Sequence, residues 1–517
     1  MARIAVIGAG MASMAAAARL ATGGHRVAVY ERGGTFGGGV GRLVRDGFAF
    51  DTGPGVLTLP AVYRDLFVKT GREPLADRVD LVQVDPAGHH LFADGSSVSL
   101  PNASRSGVIE ALDGAFGPGS GERWSEVMVR ARETWEAMRR PLLEDVLRDP
   151  AAAARDPYPA AGRRGLFRRA APTLAGVAAG LGDPRLAALL ESWALGYGLD
   201  PRSAPASTTV LPYLEATFGV WYPRGGVRAL AEAVHERCLA RKVEFHFDAE
   251  VTELLTGADG SAAGVELADG RAVPADLVVA GAPLPALYRD QVLPWTRQDE
   301  WPPMGPPGEP GRVTVHLALR GARPGGTAHR TVVHAADRRA ALDWLFASRR
   351  EALPPEGGLT VTVLRPDDPA ARPDAGHEAV TLTATVPPHR PDARGGASGD
   401  TSGGGLDWTA PGVAEAFAAR MAAVAEAALP GLGERECWRE VRTPADTERE
   451  TGAPGGSVPA PALAGAGGAL VRAANRSGVP GLYLVGGWAH PGGGLPHTGM
   501  SAAITADLVA GGPGGSR

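Results

Sequence analysis

The chain has 517 residues, 44% of them apolar, and a formal net charge of −5 without a block of like charge. That is length enough for two or three domains with sizeable cores, and it excludes the basic stripe that a nucleic-acid partner would require. Only two cysteines are present, Cys238 and Cys437, which supports neither a disulfide framework nor a cysteine-based metal site and suits a reducing cytosol.

In chain order, RIAVI (3–7) reads as a buried parallel strand ending at Gly8, not as a secretory leader. MASMAAAARLAT (11–22) predicts an alanine-rich helix stopped by Gly23-Gly24, and RVAVY (26–30) a second strand closed by Glu31. Residues 90–100 predict a hairpin around Asp94-Gly95. From 103 to about 200 the pattern is helical. Strands are expected within 243–255 and 263–281, then at 313–319, 359–364 and 379–386. The Pro- and Gly-rich segments 301–311 and 391–407 predict irregular loops. Residues 413–428 read as a helix. The chain closes with a strand in GLYLVGG (481–487), a glycine loop and a helix over 498–510. No run of eighteen uninterrupted apolar residues predicts a membrane-spanning helix.

The first strand–helix–strand unit carries chemistry. A turn that cradles a pyrophosphate needs glycines so that the chain bends sharply and its backbone approaches the ligand, with the N–H groups of the helix start, here at Met11 and Ala12, facing the anion. Gly8 and Gly10 supply the first two glycine positions, and Ser13 stands at the third. Glu31 lies at the spacing from which a carboxylate reaches a ribose hydroxyl. Together these predict a dinucleotide site, without separating NAD from FAD.

The segment after Glu31 and Arg32 contains Gly37-Gly38 and then Phe50-Asp51-Thr52-Gly53-Pro54-Gly55. Further along stand GVWYPRGGVRALAEAV (219–234), TPADTERETGAPGGS (443–457) and NRSGVPGLYLVGGWAHPGGGLPHTGMSAAITADLVAG (475–511). In these stretches the chain resembles the phytoene-desaturase-like branch of the FAD-dependent amine-oxidase superfamily. The resemblance implies an α/β fold: a Rossmann-like FAD domain of glutathione-reductase and amine-oxidase type, with a discontinuous substrate domain of mixed sheet and helical cap. It implies an FAD domain at 1–75, 205–290 and 470–517. The substrate domain would be 76–204 and 291–469, with the cap at about 103–204 and a sheet at about 312–390. It implies that Gly38 and its neighbours, including Gly39, lie along the pyrophosphate. Val251 would back the adenine, and Gly487 with the Gly494–Leu495–Thr498 loop would lie beside the ribityl chain and flavin. The family usually has Gly where Ser13 stands and Arg where Gly39 stands. Arg42, three residues on, is the candidate substitute.

The activity so implied is removal of hydrogen from a long lipophilic polyene, a carotenoid or a carotenoid precursor, with quinone or O2 as electron acceptor. The alternatives are a redox-neutral isomerase or saturase, and an oxidoreductase acting on another terpenoid. Because the cofactor carries the hard step, an apolar tunnel with few polar groups is expected. His490 and His497 are the polar candidates near the flavin. For His490 a structural role bonded to backbone competes with proton transfer, and His497 is read as preceding the last helix, either in its cap or facing substrate. Trp221 and Tyr222 are expected to wall the cavity, Arg224 to bound the flavin, and Asp51 to hold the turn at Gly53. A substrate that lives in lipid calls for a protein peripheral to the inner face of the cell membrane. Residues 158–182, which interleave Arg163, Arg164, Arg168 and Arg169 with Leu166 and Phe167, read as an interfacial segment.

Overall fold

The structure is a computed structural model that describes residues 1–148, 150–159, 172–294, 309–347, 352–391 and 404–511. The basic segment expected at a membrane lies mostly outside these residues, as do most of 301–311 and 391–407.

The first strand–helix–strand unit forms where its pattern places it: β1 is Arg3–Ile7, α1 is Met11–Thr22 and β2 is Arg26–Tyr30. These strands sit in a five-stranded, wholly parallel sheet. Its spatial order is Glu244–His246, β2, β1, Leu277–Ala280, Leu482–Leu484. Ile4 stands opposite both Val27 and Leu277, so β1 is flanked by apolar strands on both sides. That explains its continuous apolar run: a central parallel strand is covered on both faces and has no solvent side to alternate towards. The alanines of α1 (Ala15 to Ala18, all 0% exposed) let it pack closely against the helices Val227–Ala240 and Leu495–Val509.

A second, seven-stranded sheet has the order Glu436–Arg442, Gly311–Arg320, His377–Val386, Val361–Leu364, Arg330–Val333, Gly88–Leu91, Ser97–Leu100. Its neighbours are antiparallel except Arg330–Val333 against Gly88–Leu91. The helices Arg105–Phe116, Ser120–Arg139 and Pro184–Gly196 bury Leu112, Trp124, Leu186, Leu189 and Leu190 among themselves.

Several boundaries differ from expectation, three of them in the segments that close the chain. The strand in GLYLVGG is only Leu482–Leu484, because the glycines after it turn away at once. The helix from Val413 ends at Ala425. The last helix begins at Leu495 rather than 498, because Pro496 in its first turn has no N–H to leave unpaired and a φ already suited to the helix.

Candidate active site

Gly8 has φ +87° and donates its N–H to Tyr30 O at 2.8 Å, which carries the β1–β2 pairing into the start of the turn that leads to α1. Gly10 caps α1 in extended conformation with no side chain on its N–H groups, so the helix start is free to meet an anion. Glu31 is tied to the same turn. Its Oε2 accepts from the Ala9 N–H at 2.7 Å and its Oε1 from the Gly33 N–H at 2.8 Å. Gly37 donates to Ala9 O at 2.8 Å and brings the glycine pair across the turn. A Cβ on Gly38 would lie 3.1 Å from Gly10 Cα, and with φ +57° this tight crossing favours glycine.

The loop is held from behind by Arg228, a residue that motif reading passed over. Its guanidinium donates to Phe36 O (2.6 Å), Val40 O (3.1 Å) and Thr35 Oγ1 (3.0 Å) and lies 4.0 Å over the Phe36 ring. Arg228 is in turn placed by Asp51, whose carboxylate accepts from the Val227 and Arg228 N–H groups at 2.7 and 3.0 Å. Asp51 therefore caps the helix Val227–Ala240 rather than holding the turn at Gly53. Burial raises its pKa to about 6, against the pull of those N–H groups.

The two departures from the family pattern have different outcomes. Ser13 is fully buried, and a Cβ on Gly281 would stand 1.9 Å from its Oγ. The close helix–strand approach that a third glycine provides is thus made by a glycine on the opposite side, at the end of the strand Leu277–Ala280. The Ser13 hydroxyl has no hydrogen-bond partner among the described residues. Arg42 does not replace the missing arginine. It lies on the short strand Arg42–Arg45 and lines a separate cavity of about 40 Å³ with Asp51, Tyr222 and His329. Gly39 faces the main cavity, and a Cβ there would meet nothing within 4 Å.

That main cavity has a volume of about 850 Å³, near the upper end for small-molecule sites. Gly8, Gly10, Met11, Ala12, Glu31, Arg32, Gly38, Gly39, Gly53, Pro54, Gly55, Val251, Gly487, Gly494, Leu495 and Thr498 all line it. Ser13 and Arg42 do not. At the far side the last helix starts at Gly494 (φ +99°), again without a side-chain cap, so a second helix N-terminus opens on the same space. Pro459 fixes this loop: a Cβ on Gly487 would lie 2.7 Å from Pro459 Cγ, and one on Gly493 would lie 1.7 Å from Pro459 O.

The aromatic pair and the histidines stand elsewhere. Tyr222 lines the small cavity and donates its hydroxyl to Asp368 Oδ2 at 2.9 Å, and Trp221 donates Nε1 to Phe218 O at 2.9 Å. Neither is in the main cavity wall. Arg224 pairs with Asp80 at 2.9 Å. His490 is wholly buried with its Nε2 3.1 Å from Asp145 O, and burial lowers its pKa to about 4. His497 lies inside the first turn of the last helix, also buried and also lowered to about 4 by burial. Neither histidine lines the cavity, and both are neutral at physiological pH.

Beyond the glycine loops the cavity continues between Trp193, Trp344, Leu345 and Leu359. It is less apolar than expected. Arg312, Thr314, Thr383 and Thr385 project from two neighbouring strands, with Arg312 opposite Thr385 and Thr314 opposite Thr383. Tyr197, Glu215, Arg330, Thr360 and Thr362 also line the cavity.

A parallel sheet with a dinucleotide-type turn, joined to a second sheet over one shared cavity, is the architecture of two-sheet flavoproteins. The chain belongs to the family of flavin containing amine oxidoreductases, whose pattern matches residues 11–379. Over 98% of its length it is 28% identical to a 4,4'-diapolycopene oxygenase of Methylomonas sp, covering 98% of that protein. Over 98% it is also 29% identical to a zeta-carotene-forming phytoene desaturase of Myxococcus xanthus, covering 93% of that protein. A solved putrescine oxidase shares the fold with a TM-score of 0.62 over 98% of this chain and 99% of that one, at 16% identity. A dinucleotide turn in a flavin family makes the cofactor FAD, and the chain is an FAD-dependent oxidoreductase.

Proposed function

We propose that this enzyme desaturates a long lipophilic polyene, a carotenoid or carotenoid precursor. The observation that carries the reading is a single cavity that runs from the phosphate-type turn at Gly8–Gly10 to a chamber walled by Trp193, Trp344 and Leu345, in a chain related end to end to proteins named for carotenoid oxidation.

The residues fit FAD by two features of their own: the tight crossing of Gly38 over Gly10, and the start of α1 with no side-chain cap. In this reading Gly8, Gly10, Met11, Ala12, Gly38, Gly39 and the Gly53–Pro54–Gly55 turn hold the pyrophosphate, and Glu31 takes the adenosine ribose. Val251 and Arg32 bound the adenine end. Gly487, Gly494, Leu495 and Thr498 flank the ring. Bound FAD would supply a hydride acceptor for one C–H bond of the substrate, and the proton of the neighbouring carbon would leave to solvent. The protein positions the polyene and excludes water, and Arg228 keeps the glycine loop in place. His490 and His497 serve the loop as neutral structural residues. The FAD domain comprises 1–75, 205–290 and 470–517, and the substrate domain the remainder.

Electrons leave to a quinone or to O2. Among the described residues no helix is long and apolar enough to cross a membrane, and the enzyme meets its substrate as a peripheral protein on the inner face of the cell membrane. Vesicle flotation tests this: Glu in place of Arg163, Arg164, Arg168 and Arg169 abolishes binding to anionic liposomes, whereas undiminished flotation contradicts it. The reaction itself is tested by co-expression with a carotenoid-precursor pathway. Pigments with additional conjugated double bonds are expected, and an unchanged pigment profile would overturn the reading.

A further inference from the structure

The polar wall of the chamber has a feature that a hydrocarbon substrate does not require. Glu215 and Arg330 form a two-pronged ion pair, Nη1 to Oε1 at 3.1 Å and Nη2 to Oε2 at 2.6 Å, and Arg330 Nε donates to Ala87 O at 3.0 Å. Both side chains are 15% exposed. Arg330 is therefore neutralised, and each of its three nitrogens already donates one hydrogen bond. Arg312 is not. Its guanidinium donates Nη2 to Gly196 O, and among the described residues no carboxylate is paired with it. Among the described residues, four of its five N–H donors have no partner.

Tyr197 stands beside it, at the end of the helix Pro184–Gly196. Its hydroxyl has no hydrogen-bond partner among the described residues, and a Cβ on Gly494 would lie 3.6 Å from its Oη. Burial raises the tyrosine pKa, with the Glu215 charge adding to it, so the group stays a neutral O–H donor. Burial lowers the arginine pKa, while its guanidinium still faces the open chamber. Arg312, Arg330 and Glu215 together leave one positive charge facing the chamber. Once a polyene displaces water from the chamber, a cation there without a partner is costly. The cost is offset when a ligand brings an oxygen acceptor.

We infer that the substrate is a polyene bearing an oxygenated end, a carbonyl or a carboxylate, whose oxygen accepts hydrogen bonds from Arg312 and Tyr197. This rests on the polyene-desaturase reading and narrows its substrate class. The hydrocarbon part runs between Trp193, Trp344 and Leu345. The oxygenated end is held next to the loop that opens the last helix, which fixes the register of the chain at the flavin end of the cavity.

The test uses the FAD-loaded enzyme and quenching of tryptophan fluorescence, since Trp193 and Trp344 line the chamber. The probes are crocetin (a polyene dicarboxylate), its dialdehyde and a hydrocarbon polyene of the same length. The wild type binds both oxygenated probes about 10–100-fold more tightly than the hydrocarbon, the range expected of hydrogen bonds to a charged group. If crocetin alone gains, the ligand oxygen is a carboxylate; if both gain, a carbonyl suffices. Arg312→Met removes most of the difference between oxygenated and hydrocarbon probes, and Tyr197→Phe removes part of it, while FAD content and Tm report that each variant is folded. Equal binding of all probes by the wild type, or a preference untouched in both variants, overturns the inference. If the hydrocarbon alone is bound and reduces the flavin, the desaturase reading stands and the oxygenated substrate falls. If no polyene binds, both fall.

Discussion

Gly39 offers the sharpest perturbation of the cofactor site. Its backbone lines the main cavity next to Gly38, its φ is not in the left-handed region, and a Cβ there meets nothing within 4 Å. An arginine at this position is thus sterically free to reach a bound pyrophosphate. A charge-assisted hydrogen bond is worth roughly 1.5–3 kcal/mol, and ordering a long side chain takes back about 0.5–1.5 kcal/mol. The net is about 1 kcal/mol, so Gly39→Arg should lower the FAD Kd about five- to tenfold. The assay is titration of apoenzyme with FAD, followed by flavin fluorescence or calorimetry. Gly39→Ala controls for the lost flexibility of glycine and should leave Kd unchanged. Arg42→Ala should also leave it unchanged, because Arg42 lines the other cavity. A Kd that stays the same or rises in Gly39→Arg, or a clear weakening in Arg42→Ala, would refute this account of the phosphate end.

Gly281→Ala forces a Cβ to 1.9 Å from Ser13 Oγ and should lower stability by about 1–3 kcal/mol, visible as a lower Tm; Ser13→Gly in the same chain should restore most of it. Ser13→Ala alone should raise Tm slightly, since it removes a buried hydroxyl without a partner. Arg228→Met strips three hydrogen bonds from the loop at 35–40 and should speed FAD release about tenfold or more; an unchanged off-rate would contradict its role. His316, His334 and His490 have pKa values lowered by burial to about 3, 4 and 4. The unfolded chain then binds more protons than the folded one between pH 6.5 and about 4, so stability present above pH 6.5 is lost on acidification, by about 3 kcal/mol per histidine. Asp51, raised to about 6, works in the opposite sense between pH 4 and 6 and offsets one part of this. A Tm that does not fall between pH 6.5 and 4, or a His490→Gln variant with as steep a fall, would count against these assignments.

The nucleotide unit was readable from sequence because its signals are local: a buried strand, two glycines, an alanine-rich helix and an acid at fixed spacing. What escaped reading depends on partners far along the chain. The Ser13 substitution makes sense only with Gly281, which no periodicity near residue 13 reveals. Arg42 and Tyr222 lie close in sequence to residues of the main cavity, yet strand direction turns both toward the small cavity with Asp51. The polar wall did leave a trace. GRVTVHLAL and TLTATV alternate polar and apolar residues, and pairing of these strands puts Arg312, Thr314, Thr383 and Thr385 on one face. A polar face on a central strand is a signal for a lined cavity. The last helix was placed three residues late because its first turn, Leu495-Pro496-His497, looks like loop until Pro496 is recognised as a helix-starting residue.

The central claim is that this chain oxidises a polyene by passing its hydrogen to FAD. Anaerobic mixing of the FAD-loaded enzyme with a polyene in liposomes tests it most directly, with flavin absorbance and the product's mass followed together. The account predicts bleaching of the oxidised flavin in step with loss of two hydrogens from the polyene. Flavin that stays oxidised while the polyene is isomerised, or is left untouched, would contradict it.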